Sequence, residues 1–415
     1  MGRASCWIFS RGPRTWFLLA GLVAGALSCA PARPPVALPS HTASGQHVIK
    51  IATHSPLSGN QSVLGLAIRN GSHLAVEQRS GRVTASGFTV QLVPFDDRGN
   101  RDASIANAST RLVTDPDILL VIGHLTSEVA IPASEVYRKH DLAMISPASS
   151  DPLLTDRGYQ NVTRVVGRDD VQGQVAAEFA RRDLKIATAY ILHDRTAYTE
   201  RVAGAFRDHA EKLGIRVLGF AGMEAADVGP ILTAIQSRRP EVIYLSVPYR
   251  EAGVFAREAR AKGITSMFLG PDWMDVPDLA RIAGKAIVGM HYTAVAGPPS
   301  FYPGVEQFIQ NYRKRFGDAP PPYALQAYDA TAVGLEAIAN AISASGGKKP
   351  SRLQVTSEVR RIRDFKGLTG TFTFDGKGDP VQATYFVIQI VSRDPARWSQ
   401  RTLVRTLTAN PPPAK

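Results

Sequence analysis

The stretch "VIGHLTSEVAIPASEVYRKHDLAMISPASSDP", Val121–Pro152, decides how the chain is read. Twice within it an apolar run breaks into small hydroxylated residues. Thr126-Ser127 follows the run 118–123, and Ser146-Pro147-Ala148-Ser149-Ser150 closes the run 142–146. Short continuous apolar runs fit strands buried on both faces. Between them "SEVAIPASEVYRK" has helical spacing, and Pro132 is expected in the first turn, where a missing N–H costs little. Strand, loop, helix and strand again is the unit of a parallel sheet covered by helices.

In such sheets the loops after the strands lead into helix N-termini, and ligands sit in that crevice. A helix N-terminus offers unpaired N–H groups and partial positive charge, which suit an anion, and a serine adds a hydroxyl. Two readings of the hydroxyl clusters stand side by side. They are helix caps, with Ser150-Asp151-Pro152 a cap followed by a first-turn proline. Or Ser127, Ser149 and Ser150, on consecutive loops, close around one carboxylate.

The same alternation continues on both sides. Strand-like runs at 48–54 and 88–96 precede the quoted stretch, with helical patterns "LGLAIRNGSHLAVEQ" and "DASIANASTRLVTD" after them. The rhythm restarts with strands at 188–193, 215–222, 241–246 and 266–270, and helices ended by Gly214 and Gly263. Two long helical patterns, "VEQFIQNYRKRFG" and "ALQAYDATAVGLEAIANAI", follow, and the final strands are "GLTGTFTFD" and "ATYFVIQIV". The expected fold is α/β: two doubly wound parallel-sheet lobes joined by a multi-crossover hinge, with the ligand between them. Residues 47–167 plus 296–372 would form lobe 1, and 168–295 plus 373–415 lobe 2.

A chain of 415 residues, 44% hydrophobic and 20% charged, is long enough for two globular domains. Residues 1–28 read as an export signal: Arg3, Arg11 and Arg14 precede "WFLLAGLVAGALSC", an apolar run of about 12 residues, short of the roughly 20 of a membrane span. Cys29 follows "ALS" as in the lipobox of bacterial lipoproteins, although Ala26 stands where Leu is usual. Residues 29–46, rich in Pro, Ala and Ser, would be a tether from a lipid anchor. Cys6 leaves with the signal, so no internal disulfide is expected. The formal charge of +12 is scattered, with pairs such as Arg181-Arg182 and Lys348-Lys349 but no basic stripe interleaved with aromatics. That argues against nucleic acid as a partner.

Chemistry is sparse. Asp96-Asp97 reads as a strand-end turn capping the next helix rather than a metal pair. His124 lacks the G-x-S-x-G context of a hydrolase and reads as a packed, hydrogen-bonded residue. No H-E-x-x-H, paired-cysteine or P-loop pattern is present, so neither metal, cofactor nor catalytic residue is expected. Trp273 is pocket wall or core, and Arg168 pairs with Asp169 at the surface.

"IKIATHSPLSG", "FDDRGNRDASIANASTRLV", "VIGHLTSEVAIPASEVY", "MISPASS" and "RGYQNVTRVVGRDDVQGQVAAEFA" together resemble the periplasmic leucine/isoleucine/valine-binding proteins, as do "YILHDRTAYTERVAGAF", "REARAKGI" and "FLGPD". The likeness runs over roughly 48–390. These are type I periplasmic binding proteins, the substrate-binding subunits of ABC importers, working with permease and ATPase subunits. The resemblance implies a carboxylate site at Ser127, Ala148 and Ser150, and an ammonium-pairing acid at Asp272. It places Asp169, Tyr198, Tyr249 and Tyr323 near the pocket, with Leu64 beside the side-chain space. The solute would be a small amino acid, branched-chain or aliphatic, taken up by a monomeric protein on the extracytoplasmic face of the membrane. Three positions depart from the family. A member of the family carries Glu where Asp272 stands, an aromatic ring near the ligand where Leu64 stands, and a disulfide at the places of Gly99 and Thr126, so that staple is absent here. Related binders take amides, urea or aromatic acids, which remain alternative ligands. A non-transport envelope scaffold of the same fold is the alternative without a ligand.

Overall fold

The run Ile118–Gly123, fully buried, is an interior strand of a five-stranded parallel sheet. The computed structural model describes residues 47–224 and 227–412, and within them this sheet is built from the first third of the chain. In chain order its elements are β1 (Val48–Ser55), α1 (Ser62–Arg79), α2 (Gly81–Ala85), β2 (Thr89–Asp96), α3 (Arg101–Asn107), β3 (Ile118–Gly123), α4 (Ser127–Arg138), β4 (Ala143–Ser146), α5 (Leu153–Asp156) and β5 (Val162–Arg164). The strand order is β2-β1-β3-β4-β5, all parallel. The order therefore reverses between β1 and β3, and the loops after those two strands flank a crevice.

The second sheet follows α6 (Asp169–Arg182). It takes β6 (Thr188–His193), α7 (Ala197–Lys212), β7 (Arg216–Gly222), α8 (Val228–Arg238), β8 (Val242–Ser246), α9 (Tyr249–Ala261), β9 (Met267–Gly270), α10 (Pro277–Ala283) and β10 (His291–Ala294). The chain then forms α11 (Glu306–Phe316), α12 (Ala324–Ala344), α13 (Arg352–Arg361) and a small hairpin, β11 (Phe365–Lys366) and β12 (Thr371–Phe372). It ends with β13 (Ala383–Gln389) and β14 (Thr402–Ala409). The second sheet runs β14-β13-β10-β9-β8-β6-β7. Its parallel part repeats the strand order of the first sheet. The last two strands depart from the expected all-parallel lobe: β13 pairs antiparallel with β10, and β14 antiparallel with β13. The final residues thus close one edge, and β14 is a strand that the sequence pattern did not single out. β5, "VTR", and β10, "HYTA", were also missed because neither is a continuous apolar run.

The chain passes between the sheets three times. It crosses after β5 into α6, after β10 toward α12, and after β12 into β13. The return helix α12 is buried along almost its whole length and lies against α1. Gly71 of α1 permits this, since a Cβ there would stand 2.1 Å from the carbonyl oxygen of Ala324.

Two local expectations are corrected. Pro132 is not in the first turn but sits inside α4, which begins at Ser127. Its missing N–H leaves the carbonyl of Glu128 without the i→i−4 bond. Asp96-Asp97 makes the expected turn but does not cap α3. Asn100 does so, accepting from the amides of Asp102 and Ala103 at 2.9 and 3.0 Å.

Candidate functional site

A cavity of about 1170 Å³ lies at the carboxyl ends of strands from both sheets. From the first sheet it takes Gln61 and Leu64 after β1, Leu125 through Glu128 after β3, and Ala148, Ser150 and Asp151 after β4. From the second it takes Asp272, Trp273, Asp275 and Val276 after β9, and Ala294, Ala296, Pro298 and Pro299 at and after β10. Asp169 opens α6 and Tyr323 precedes α12, and both face the same space.

The hydroxyl clusters divide between structural and cavity-facing roles. Ser149 is buried and turned away: its amide donates to Ser146 Oγ at 2.9 Å, and its hydroxyl donates to the carbonyl of His124 at 3.2 Å. It does not line the cavity. Ser127 Oγ accepts the amide of Asp151 at 3.1 Å, which ties the β3 loop to the β4 loop. Asp151, rather than Ser150, meets the start of α5, accepting from the amide of Leu153 at 2.7 Å. Capping therefore leaves the Ser150 hydroxyl free for the cavity. Thr126 is the N-cap residue of α4 but makes no side-chain cap bond, and it too lines the cavity. The first helical amide with an acceptor inside α4 is that of Val129, which bonds to the carbonyl of Thr126 at 3.3 Å, so the positive end of this helix opens on the cavity.

Beneath this cradle lies a buried polar network. His124 Nδ1 is 2.8 Å from Asp97 Oδ2, and the Tyr137 hydroxyl stands 2.7 Å from His54 Nδ1 and 3.3 Å from His124 Nε2. Burial, then the charge of His124 and Arg111, holds the His54 imidazole well below its ordinary range. The potential ligand atoms of His54, Asp97 and His124 lie within 4.8 Å of one another. Three of the four imidazole nitrogens are already engaged with Asp97 or Tyr137, and His54 Nε2 is the one without a partner. The expectation of a packed His124 matches this environment.

The opposite wall is acidic. Asp272 opens a short 3₁₀ turn after β9, and its amide donates to Gln172 Oε1 at 3.3 Å. The other end of the same buried glutamine, Nε2, donates to Asp169 Oδ1 at 2.9 Å. Burial, and next the Asp169 carboxylate, push Asp272 well above the usual carboxyl range. No Lys, Arg or His among the described residues forms an ion pair with Asp272. Its side chain is partly accessible and lines the cavity. Asp275 nearby is matched, accepting from Trp398 Nε1 at 2.9 Å and Arg401 Nη2 at 3.1 Å. Tyr323 adopts φ +70°, and burial, then Asp272 and the neighbouring acids, raise its phenol far above the normal value. It stays a neutral donor.

Leu64, Ser127, Ala148, Ser150, Asp169, Asp272 and Tyr323 therefore share one cavity. Tyr249 does not line it. Its ring is half-buried against the second-lobe core, with the Arg250 guanidinium 5.5 Å from the ring centroid. The side chain of Tyr198 lies outside the described residues, as do positions 1–46 with Cys29. Arg168 is not a surface partner of Asp169: it is 3% exposed and bonds Asp156, Asp170 and Asp379. Trp273 is cavity wall. Sequence reasoning missed Gln172, whose helical position carries no mark of its role, and Asp275, Trp398 and Arg401, which meet only through the fold.

Two α/β lobes with a cleft between the carboxyl ends of their strands, largely apolar but carrying a few polar groups, define a class of protein that holds a small solute between linked lobes. The sequence pattern of the periplasmic binding proteins matches residues 48–395, and the chain belongs to that family. It is 30% identical over 335 residues to a leucine-, isoleucine-, valine-, threonine- and alanine-binding protein of Pseudomonas aeruginosa, covering 80% of this chain and 87% of that one. It is 29% identical over 344 residues to Leu/Ile/Val-binding protein homolog 2 of Brucella abortus, covering 82% and 90%. Among solved structures it resembles a leucine-binding protein of Thermotoga maritima, with TM-score 0.68 and 26% identity over 86% of this chain and 98% of that one.

Proposed function

We propose that the protein captures a small α-amino acid, branched-chain or aliphatic, outside the cytoplasm and delivers it to the permease and ATPase of an ABC importer. Ser127, Ser150 and the backbone around Ala148 receive the carboxylate, with Thr126 beside them. Asp272 pairs with the ammonium, and Asp169 supports it through Gln172. Leu64 and Tyr323 bound the side-chain space. Lobe 1 comprises 47–167 and 296–372, and lobe 2 comprises 168–295 and 373–415, so one zwitterion bridges both and favours their closure. The protein acts as a monomer without chemistry on its ligand. Residues 1–28 export it, and acylated Cys29 with the tether 29–46 holds it at the membrane.

One observation carries this reading: Asp272, an acid that pairs with no cation among the described residues, shares a cavity with an uncovered helix N-terminus and free hydroxyls. A scaffold has no use for that complementarity, whereas a zwitterion satisfies both ends with charge-assisted bonds. The binding of leucine and its relatives by the similar proteins of Pseudomonas and Thermotoga supports the choice of solute. The apolar and aromatic side chains of Leu64, Trp273, Val276 and Tyr323 along the cavity favour, as a second reading, an aromatic acid.

The test is a thermal-shift panel of the twenty amino acids with acetamide, urea and benzoate, followed by titration calorimetry. A ligand at 100 times its Kd stabilises the folded form by about 2.7 kcal/mol. Shifts with Leu, Ile or Val, lost in Asp272→Ala, are expected. A shift with benzoate alone would move the ligand to the second reading, and none with any solute would favour the scaffold.

A further inference from the structure

The carboxylate loop and the crossovers between lobes meet at one buried charge cluster. Arg164, the last residue of β5, has no exposed surface. Its Nη1 donates to the carbonyl of Ser149 in the cradle loop at 2.9 Å, and its Nε donates to Asp379 Oδ1 at 2.7 Å. Its Nη2 donates to Thr155 Oγ1 at 2.5 Å. Asp379, equally buried, lies in the crossover from β12 to β13. Its second oxygen accepts from Arg168 Nη1 at 2.8 Å, and Arg168 lies in the crossover from β5 to α6.

Two of the three inter-lobe crossovers are thus cross-linked through one carboxylate. Around it the backbone is tight. The Arg164 amide donates to the Gly378 carbonyl at 3.1 Å, and the Arg168 amide donates to the Tyr385 hydroxyl at 2.8 Å. A Cβ on Gly167 would stand 2.4 Å from the Tyr385 ring. Asp375 closes the turn by accepting from the amides of Gly378 and Asp379 at 2.8 and 3.0 Å.

We propose that Arg164 is a positioning residue that couples the carboxylate cradle to the lobe hinge through Asp379. The planar guanidinium makes this possible. It presents donors in fixed directions, one toward the cradle carbonyl and another toward the hinge carboxylate, so neither partner shifts without turning the plane. Seating a ligand on the β4 loop fixes the Ser149 carbonyl, and the same plane then fixes Asp379 and, through it, Arg168. Lysine keeps the charge but cannot hold the three acceptors in that geometry. This inference rests on the cradle as the ligand site, but the coupling between loop and hinge exists in the protein alone and is measurable there.

The experiment is amide hydrogen exchange on the full chain, comparing wild type with Arg164→Lys and, as a control outside the cluster, Tyr249→Phe, which leaves every bond of the cluster in place. Without ligand, Arg164→Lys is expected to speed exchange at least tenfold in 147–151 and in 377–380 together, with β1 and β8 unchanged and Tyr249→Phe close to wild type. L-Leucine is expected to slow both segments in wild type and only 147–151 in Arg164→Lys. Faster exchange spread evenly over the first sheet, or a change confined to one of the two segments, would overturn the coupling. If leucine protects nothing in wild type, the choice of ligand fails, while the exchange of the unliganded variants still decides the coupling.

Discussion

On the first-lobe wall of the cleft, Ser127, Ala148 and Ser150 form an uncharged patch, edged by Glu128 and Asp151, whose backbone is tied down by local hydrogen bonds. On the second-lobe wall, Asp272 carries a carboxyl that burial and Asp169 make reluctant to ionise. The patch of serines and helix amides is built so that a negative group completes it. The second wall holds a group that a positive charge would relieve. An anion site made of hydroxyls and helix amides needs no net charge and little reorganisation, whereas a cation site made of clustered acids is unfavourable until it is filled. Most of the pH response and most of the mutational sensitivity should therefore reside in the second wall.

The sharpest break in this comparison is Asp272→Asn. Removing the ion partner of a desolvated ammonium is expected to weaken amino-acid binding by about 2–5 kcal/mol, read by titration calorimetry. The same change should raise the melting temperature of the unliganded protein near neutral pH. A carboxyl whose folded pKa is raised stabilises the fold below its unfolded pKa and loses that contribution as pH rises through the folded value, and asparagine has no such loss. Lower stability of the variant without ligand would contradict the electrostatic account of this wall.

Next in size is proton release. An ammonium lowers the pKa of Asp272, so capture expels a proton wherever the empty site still holds one. Affinity should rise with pH until the raised pKa is passed and then level off. Calorimetry in buffers of different ionisation enthalpy counts the proton directly, and a pH-independent affinity with no proton exchanged would remove the asymmetry between the walls.

Ser127→Ala should cost less, about 1 kcal/mol of affinity, because it removes one hydroxyl and the acceptor of the Asp151 amide from a wall with other donors. Smallest is Tyr249→Phe, expected to change affinity by less than about 0.5 kcal/mol because the ring packs away from the cavity. A large loss there would place Tyr249 against the ligand in the closed protein.

The same contrast separates what was legible in the sequence from what was not. Strands such as 118–123 and 242–246 were readable because each is a continuous apolar run between turn residues. The loops after β3 and β4 were readable as a possible anion site because serines crowd the strand ends, although only the fold separates Ser149, turned inward, from Ser150, facing the cavity. Asp272 and Asp169 came from family likeness rather than from pattern. Gln172 was invisible, since a glutamine within "DDVQGQVAAEFARR" looks like any helical residue until the fold sets it between two acids. The antiparallel end of the second sheet escaped because β14 follows a short 3₁₀ segment and its residues alternate in exposure on an edge, without a buried run.

The junction of His124 with Asp97 has a further consequence. It spans the two loops where the resemblance to the leucine/isoleucine/valine-binding proteins implies a disulfide, and residues 47–412 contain no cysteine. A clasp of imidazole and carboxylate forms as the chain folds and needs no oxidant. Thiol reductants have nothing in this region to cut, so this contact holds whatever the redox poise around it.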